Sequence, residues 1–259
     1  MKTVILAGGY GTRIAEESGV RPKPMVEIGG RPILWHIMKM YSCFGISDFI
    51  ICCGYKGHII KKFLLDYFDT NSDFTIDLSN NAVEVHRRCD ERWRVTLLDT
   101  GEATMTGGRM KQAIDFMNGD GSFCCTYGDG VSDVNISELI AFHKSQGTRA
   151  TLTAVQAPGR FGCFALGHNQ TRIFNFREKP AGDGAWINGG FFVLEPEVYD
   201  HIDGDDAVWE QGPLSDLADM EQLAAFRHGG FWHPMDTLRD KQVLQEMWDS
   251  GNAPWKMWN

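Results

Sequence analysis

A chain of 259 residues, 43% hydrophobic and 23% charged, has an ordinary globular composition and length enough to bury a full core, in one large domain or two small ones. Its formal charge of −9 weighs against non-specific binding to nucleic acid or to a membrane surface, because affinity for a phosphate backbone depends on a basic face. An anionic substrate must therefore meet a local cluster of positive groups, and Arg13, Arg21 and Lys23 form one near the N-terminus.

In chain order, residues 2–7 are a short apolar run that stops at a glycine cluster, the pattern of a buried strand feeding a loop. The run is too brief for a signal-peptide core or a membrane span, which makes the cytoplasm the expected location. From Pro32 the period changes: Ile33, Leu34, Ile37, Met38, Met40, Tyr41 and Phe44 recur at helical spacing, and Gly45 closes the helix. Residues 48–53 read as a second strand and 56–68 as a second helix, with Ile59, Ile60, Phe63, Leu64 and Tyr67 facing inward. Strands follow over 74–78, 83–86 and 94–99, then a helix over 109–117 and a buried strand over 122–127 that ends at Gly128-Asp129. The second half carries a helix over 136–145 and strands over 150–157, 163–166, 173–178 and 185–194. Strands alternating with helices imply a mostly parallel, three-layer α/β sheet with right-handed crossovers. No linker, repeat or low-complexity tract divides the chain, so one continuous domain over 1–259 is expected. The seven cysteines, with the adjacent pairs Cys52-Cys53 and Cys124-Cys125, fall in apolar strand-like segments without C-x-x-C spacing and read as buried, reduced thiols.

In open sheets of this kind ligands lie beyond the carboxyl ends of the strands, and three such places carry chemistry. Leu6-Ala7-Gly8-Gly9-Tyr10-Gly11-Thr12-Arg13 is followed by Pro22-Lys23-Pro24-Met25. Consecutive glycines after a strand let backbone N–H groups converge on one anion, and Arg13 and Lys23 would add full charges; a plain tight turn beside a solvated basic face is the alternative. There is no G-x-x-x-x-G-K-[ST], and Ile14 stands where G-x-G-x-x-G needs its third glycine. Tyr127-Gly128-Asp129-Gly130 and His233-Pro234-Met235-Asp236-Thr237 each offer a carboxylate after an apolar stretch, either as ligands of a magnesium ion or as turn and cap residues. Phe176-Arg177-Glu178-Lys179-Pro180, with Asn188-Gly189-Gly190 beyond it, offers a carboxylate for sugar hydroxyls and a cation for a phosphate, or an exposed ion pair.

In this order and spacing the motifs resemble the sugar-1-phosphate nucleotidyltransferases nearly end to end. Lys39-Met40-Tyr41, Asp99-Thr100-Gly101, Met105-Thr106-Gly107-Gly108-Arg109, Pro158-Gly159-Arg160-Phe161-Gly162, Trp209-Glu210-Gln211 and Ala253-Pro254-Trp255-Lys256 look like the glucose-1-phosphate cytidylyl branch. A thymidylyl relative would carry a Gln-Pro element where this chain has 102–106. The resemblance implies a Rossmann-like three-layer nucleotidyltransferase fold, with a mixed, mostly parallel central sheet and a strand-rich second lobe. It implies a nucleotide-binding part over about 1–130 and a sugar-phosphate-binding part over about 131–259. It implies the substrates CTP and α-D-glucose 1-phosphate, Mg²⁺ as cofactor, and a homo-oligomer, a hexamer being expected. Residue by residue it puts the nucleotide on Leu6, Ala7, Gly8, Gly9, Gly11, Thr12, Arg13, Lys23, Thr104, Arg109 and Gly128, with Arg13 and Lys23 also catalytic. The sugar phosphate falls to Gly162, Glu178, Lys179, Asn188 and Gly189, and the metal to Asp129 and Asp236. No histidine receives a catalytic role. The rival readings are another nucleotide or sugar on the same scaffold, and a non-catalytic sugar-nucleotide-binding subunit.

Overall fold

The computed structural model describes residues 1–11, 19–156, 163–166, 173–177 and 185–258, with backbone alone over 163–166 and 173–177. In the first half, β1 (Lys2–Leu6), β2 (Glu27–Ile28), β3 (Arg31–Pro32), α1 (Ile33–Ser42), β4 (Asp48–Cys53), α2 (Gly57–Leu65) and α3 (Tyr67–Thr70) come first. After them follow β5 (Asp73–Asp77), β6 (Ala82–Arg87), β7 (Arg94–Asp99), α4 (Thr106–Met117), β8 (Phe123–Tyr127) and β9 (Gly130–Ser132). The second half contains α5 (Ile136–Gln146), β10 (Ala150–Val155), β11 (Cys163–Leu166), β12 (Ile173–Arg177), β13 (Ile187–Leu194), α6 (Pro213–Asp219), β14 (Leu223–Arg227), β15 (Trp232–Pro234) and α7 (Leu238–Asp249).

Seven strands form the central sheet in the order β14-β10-β13-β8-β1-β4-β7. All run the same way except β13, which is antiparallel to both neighbours. β1 is apolar on both faces because helices cover both, and its side chains alternate between them. Ile5 joins Ile33, Leu34, Ile37 and Tyr41 of α1 on one face. Val4 and Leu6 join Met110, Ala113, Ile114 and Met117 of α4 on the other, so a period of two meets a period of three to four in each layer. The chain leaves β1 toward β4 on one side and returns to β8 on the other, which opens a crevice beyond the carboxyl ends of β1 and β8.

Several predicted elements need correction. The helix placed over 109–117 starts at Thr106, because Gly107 and Gly108 pack against the backbone of Ala207 and Asp205, where a side chain would not fit. The helix placed over 56–68 breaks into α2 and α3 at Asp66. The strands at 74–78 and 83–86 form a separate hairpin, and β10, β13 and β14 belong to the central sheet. Cys43 is exposed at the end of α1 and Cys89 is half-buried outside any strand; among the described side chains, which leave out Cys163, Cys52, Cys53, Cys124 and Cys125 are the buried thiols, and burial pushes the pKa of Cys52 and Cys124 up to about 12.

The tryptophans near the C-terminus pack rather than reach outward. Trp255 is fully buried, and its indole N–H donates to Nδ1 of His36 at 3.3 Å, while Nε2 of the same ring lies 2.8 Å from the carbonyl of Ile28. Trp35, Trp248 and Trp258 close around that imidazole. Burial there pulls the His36 pKa down to about 4, so the ring is neutral at pH 7.

Candidate active site

The crevice beyond β1 and β8 is a cleft of about 680 Å³. Two short ladders shape its charged end. β9 begins directly after Asp129 and pairs with β15, with Gly130 opposite Pro234 and Val131 opposite His233. One more rung, Met235 N–H to the Asp129 carbonyl at 2.8 Å, brings Asp129 and Asp236 side by side. Opposite them, Lys23 opens a one-turn 3₁₀ helix, Lys23–Met25, entered through Pro22, whose fixed backbone angle suits that turn.

Lys23 Nζ donates to Asp129 Oδ2 at 2.7 Å and to Asp236 Oδ1 at 2.6 Å. Burial of the lysine alone would lower its pKa, but the two carboxylates outweigh that and hold it above the ordinary value. The ammonium thus marks a point at which two carboxylates from distant parts of the chain share one cation. A pair of aspartates suits a small hard cation, which takes one or two carboxylates and fills its shell with water and phosphate oxygens. Among the described residues no cluster of three or more His, Cys, Asp or Glu side chains competes for that role.

The glycine loop makes the adjoining wall. Gly11 has φ of +63°, the left-handed region that glycine reaches without strain. A side chain at Gly8 would collide with the guanidinium of Arg109. That guanidinium donates to the carbonyls of Gly8 at 3.1 Å, Cys53 at 3.2 Å, Gly101 at 2.7 Å and Glu102 at 3.2 Å, and to the Thr100 hydroxyl at 2.6 Å. Burial lowers its pKa, yet an arginine stays charged. Its donors are committed to the ends of β1, β4 and β7, so Arg109 ties three loops together. Arg109 also lines the cleft, so it shapes the wall from within.

Leu6, Ala7, Gly8, Gly9, Gly11, Lys23, Thr104, Gly128, Asp129, Asn188 and Asp236 line this same cleft, together with Arg109. Gly189 is absent from the lining; its carbonyl accepts the Trp232 indole N–H at 2.7 Å, and a side chain there would strike Val155. Arg21 points elsewhere and pairs with Glu27 at 2.7 Å, so it leaves the proposed cationic cluster. Thr12, Arg13, Gly162, Glu178 and Lys179 lie outside the described residues.

Of a second polar line along the floor, sequence reasoning gave a role to Asn188 alone. Asn188 Nδ2 donates to the Tyr127 hydroxyl at 3.3 Å, which donates to Oε1 of Glu210, while the Thr106 hydroxyl donates to Oε2 at 2.8 Å. Burial first, and then the Glu210 carboxylate, raise the Tyr127 pKa, which keeps the phenol neutral and donating. Tyr127 was findable, because it ends a strand immediately before Gly128. Glu210 stood in the Trp209-Glu210-Gln211 stretch but drew no role, since it lies outside the helices and strands.

Comparison with known proteins finds relatives over the whole chain. The glucose-1-phosphate cytidylyltransferase of Salmonella typhimurium is 58% identical over 258 residues, covering 100% of both chains. The protein of the same name from Salmonella typhi is also 58% identical, again over 100% of both chains. Among solved structures, HddC from Yersinia pseudotuberculosis superimposes with a TM-score of 0.66 at 23% identity, over 95% of this chain and 99% of that one, a likeness of fold. The sequence model described as Nucleotidyl transferase matches residues 2–216, and with it the glycine loop, Lys23 and Asp129; the chain belongs to the nucleotidyl transferase family.

Proposed function

We propose that this protein transfers the cytidylyl group of CTP to α-D-glucose 1-phosphate, giving CDP-glucose and pyrophosphate. The observation that carries the reading is the Lys23 ammonium held between Asp129 and Asp236 beside the glycine loop. The full-length likeness to cytidylyltransferases supports the choice of substrates.

In this reading the triphosphate lies along the Gly8–Gly11 backbone, with Lys23, and Arg13 from outside the described residues, neutralising its charge. Asp129 and Asp236 would hold Mg²⁺, which when bound polarises a phosphoryl oxygen as a Lewis acid. The Tyr127, Asn188 and Glu210 floor supplies donors and acceptors for the sugar, together with Glu178 and Lys179. An oxygen of the sugar phosphate forms a bond to the α-phosphorus as the bond from that phosphorus to the bridging oxygen breaks, and pyrophosphate leaves with the electron pair. No proton has to move, since the attacking phosphate is already ionised at neutral pH. The chain's contribution is alignment and fixed positive charge, effects that supply several kcal/mol each.

The experiment is a pyrophosphate-release panel of four nucleoside triphosphates against several sugar 1-phosphates, with and without Mg²⁺. CTP with glucose 1-phosphate should give the highest kcat/KM, and only with the metal. A flat panel, or full activity in excess chelator, overturns the reading.

A further inference from the structure

The Asp236 carboxylate can meet Asp129 only if its own backbone is held still, and the structure shows what holds it. On the N-terminal side the Met235 N–H is fixed to the Asp129 carbonyl at 2.8 Å. On the C-terminal side three bonds run to one buried side chain, Asp240, on the first turn of α7. Its Oδ2 accepts from the Asp236 N–H at 3.1 Å, the Thr237 N–H at 2.8 Å and the Thr237 hydroxyl at 2.8 Å. Its Oδ1 lies 3.4 Å from Nε2 of His233, on β15. The Asp240 N–H closes the loop by donating to the Thr237 hydroxyl at 3.2 Å.

A helix cap needs only part of this. The reciprocal Thr237 and Asp240 bonds complete a capping box and stabilise α7 by themselves. The bond to the Asp236 N–H adds nothing to the helix; it reaches one residue further back, to the residue that carries the cation-binding carboxylate. The approach to His233 likewise sets the first turn of the helix against the ribbon strand that delivers Asp236. One carboxylate therefore holds the strand end, the carboxylate-bearing residue and the first helical turn in fixed relation.

We propose that Asp240 is a positioning residue for the cation site, acting through Asp236 and distinct in that role from its service as a helix cap. The proposal rests on the reading of Asp129 and Asp236 as the metal-binding pair. Removing a partner that orients a metal ligand typically costs about 10–100-fold in metal affinity.

The test titrates the full-length protein with Mn²⁺ and follows free Mn²⁺ by electron paramagnetic resonance, with a thermal melt of every variant. Asp236→Ala examines the underlying reading: Mn²⁺ binding equal to wild type removes Asp236 from the site, whatever Asp240 does. With that control passed, Asp240→Ala should weaken Mn²⁺ binding by about 10-fold or more, and Asp240→Asn, which keeps an acceptor oxygen, should restore it to within about threefold of wild type. Thr237→Val breaks the cap hydroxyl but leaves the Asp236 N–H bond, so it should lower the melting temperature while leaving Mn²⁺ affinity within about twofold. Should alanine not fold at 240, Asp240→Ser, too short to reach the Asp236 amide, takes its place with the same expectation. Wild-type Mn²⁺ affinity in the folded Asp240→Ala or Asp240→Ser protein, or an equal loss in Thr237→Val, overturns the positioning role.

Discussion

The Lys23 ammonium and the Asp236 carboxylate stand 2.6 Å apart although 213 positions of sequence separate them. Removing the lysine leaves two neighbouring carboxylates without their shared cation and takes a full charge from beside the glycine loop. Lys23→Ala should lower kcat by about 10²–10³-fold, the range for losing one preorganised charge-stabilising group. Circular dichroism should still show the native fold, and near-normal pyrophosphate release would remove Lys23 from the mechanism.

Arg109→Lys makes a different kind of lesion. Three ammonium donors on a shorter reach cannot serve the five oxygens now bonded to the guanidinium, so some of those buried groups lose their partner. A loss of about 3 kcal/mol in stability is expected. For a chain of this size that is a fall of about 5–10 °C in melting temperature. Because the loops around Gly8 and Thr104 loosen together, KM for the nucleotide should rise more than kcat falls. An unchanged melting temperature would show that the clamp is dispensable.

The choice of base is open to a direct kinetic comparison. Cytosine carries an amino donor where thymine presents an acceptor, and a site built for one leaves a polar group unpaired with the other. CTP should exceed dTTP in kcat/KM by about 100-fold or more with glucose 1-phosphate as acceptor. Equal values would place recognition elsewhere than on the base.

His36 sets a pH dependence. Its folded pKa of about 4 lies below the unfolded value of about 6.5, so protonation favours unfolding. The stability is complete above pH 6.5 and declines as pH falls from there toward 4, by up to about 3 kcal/mol. The Arg31 charge acts in the same direction as burial. Urea unfolding at pH 7 and pH 4.5 should show a smaller difference in His36→Gln than in the wild type, because carboxylate titration is common to both and cancels.

Much of the first half was legible because burial on both faces and helical spacing each leave a period that side-chain type reveals. The apolar 48–53 and 94–99 runs are strands at those bounds. The last hundred residues were less so: β14 is only half-buried and mixes Ala with Arg, and β15 is three residues ending in proline, too short to show a period. The glycine loop, Lys23, Asp129 and Asp236 meet in one cleft as expected from the motifs. What one dimension could not convey was the ring of carbonyls around the Arg109 guanidinium and the bonds from Thr106 and Tyr127 to Glu210, because each joins segments far apart in sequence.

The three-residue pairing of β9 with β15 leaves no slack. Side chains on a strand switch faces at every step, so a single inserted or deleted residue between Trp232 and Asp236 would turn the second carboxylate away from the first while leaving the seven-stranded sheet untouched. The length of that brief ribbon acts as a ruler, and a family member with one residue more or fewer at this point would have to find its second acid somewhere else.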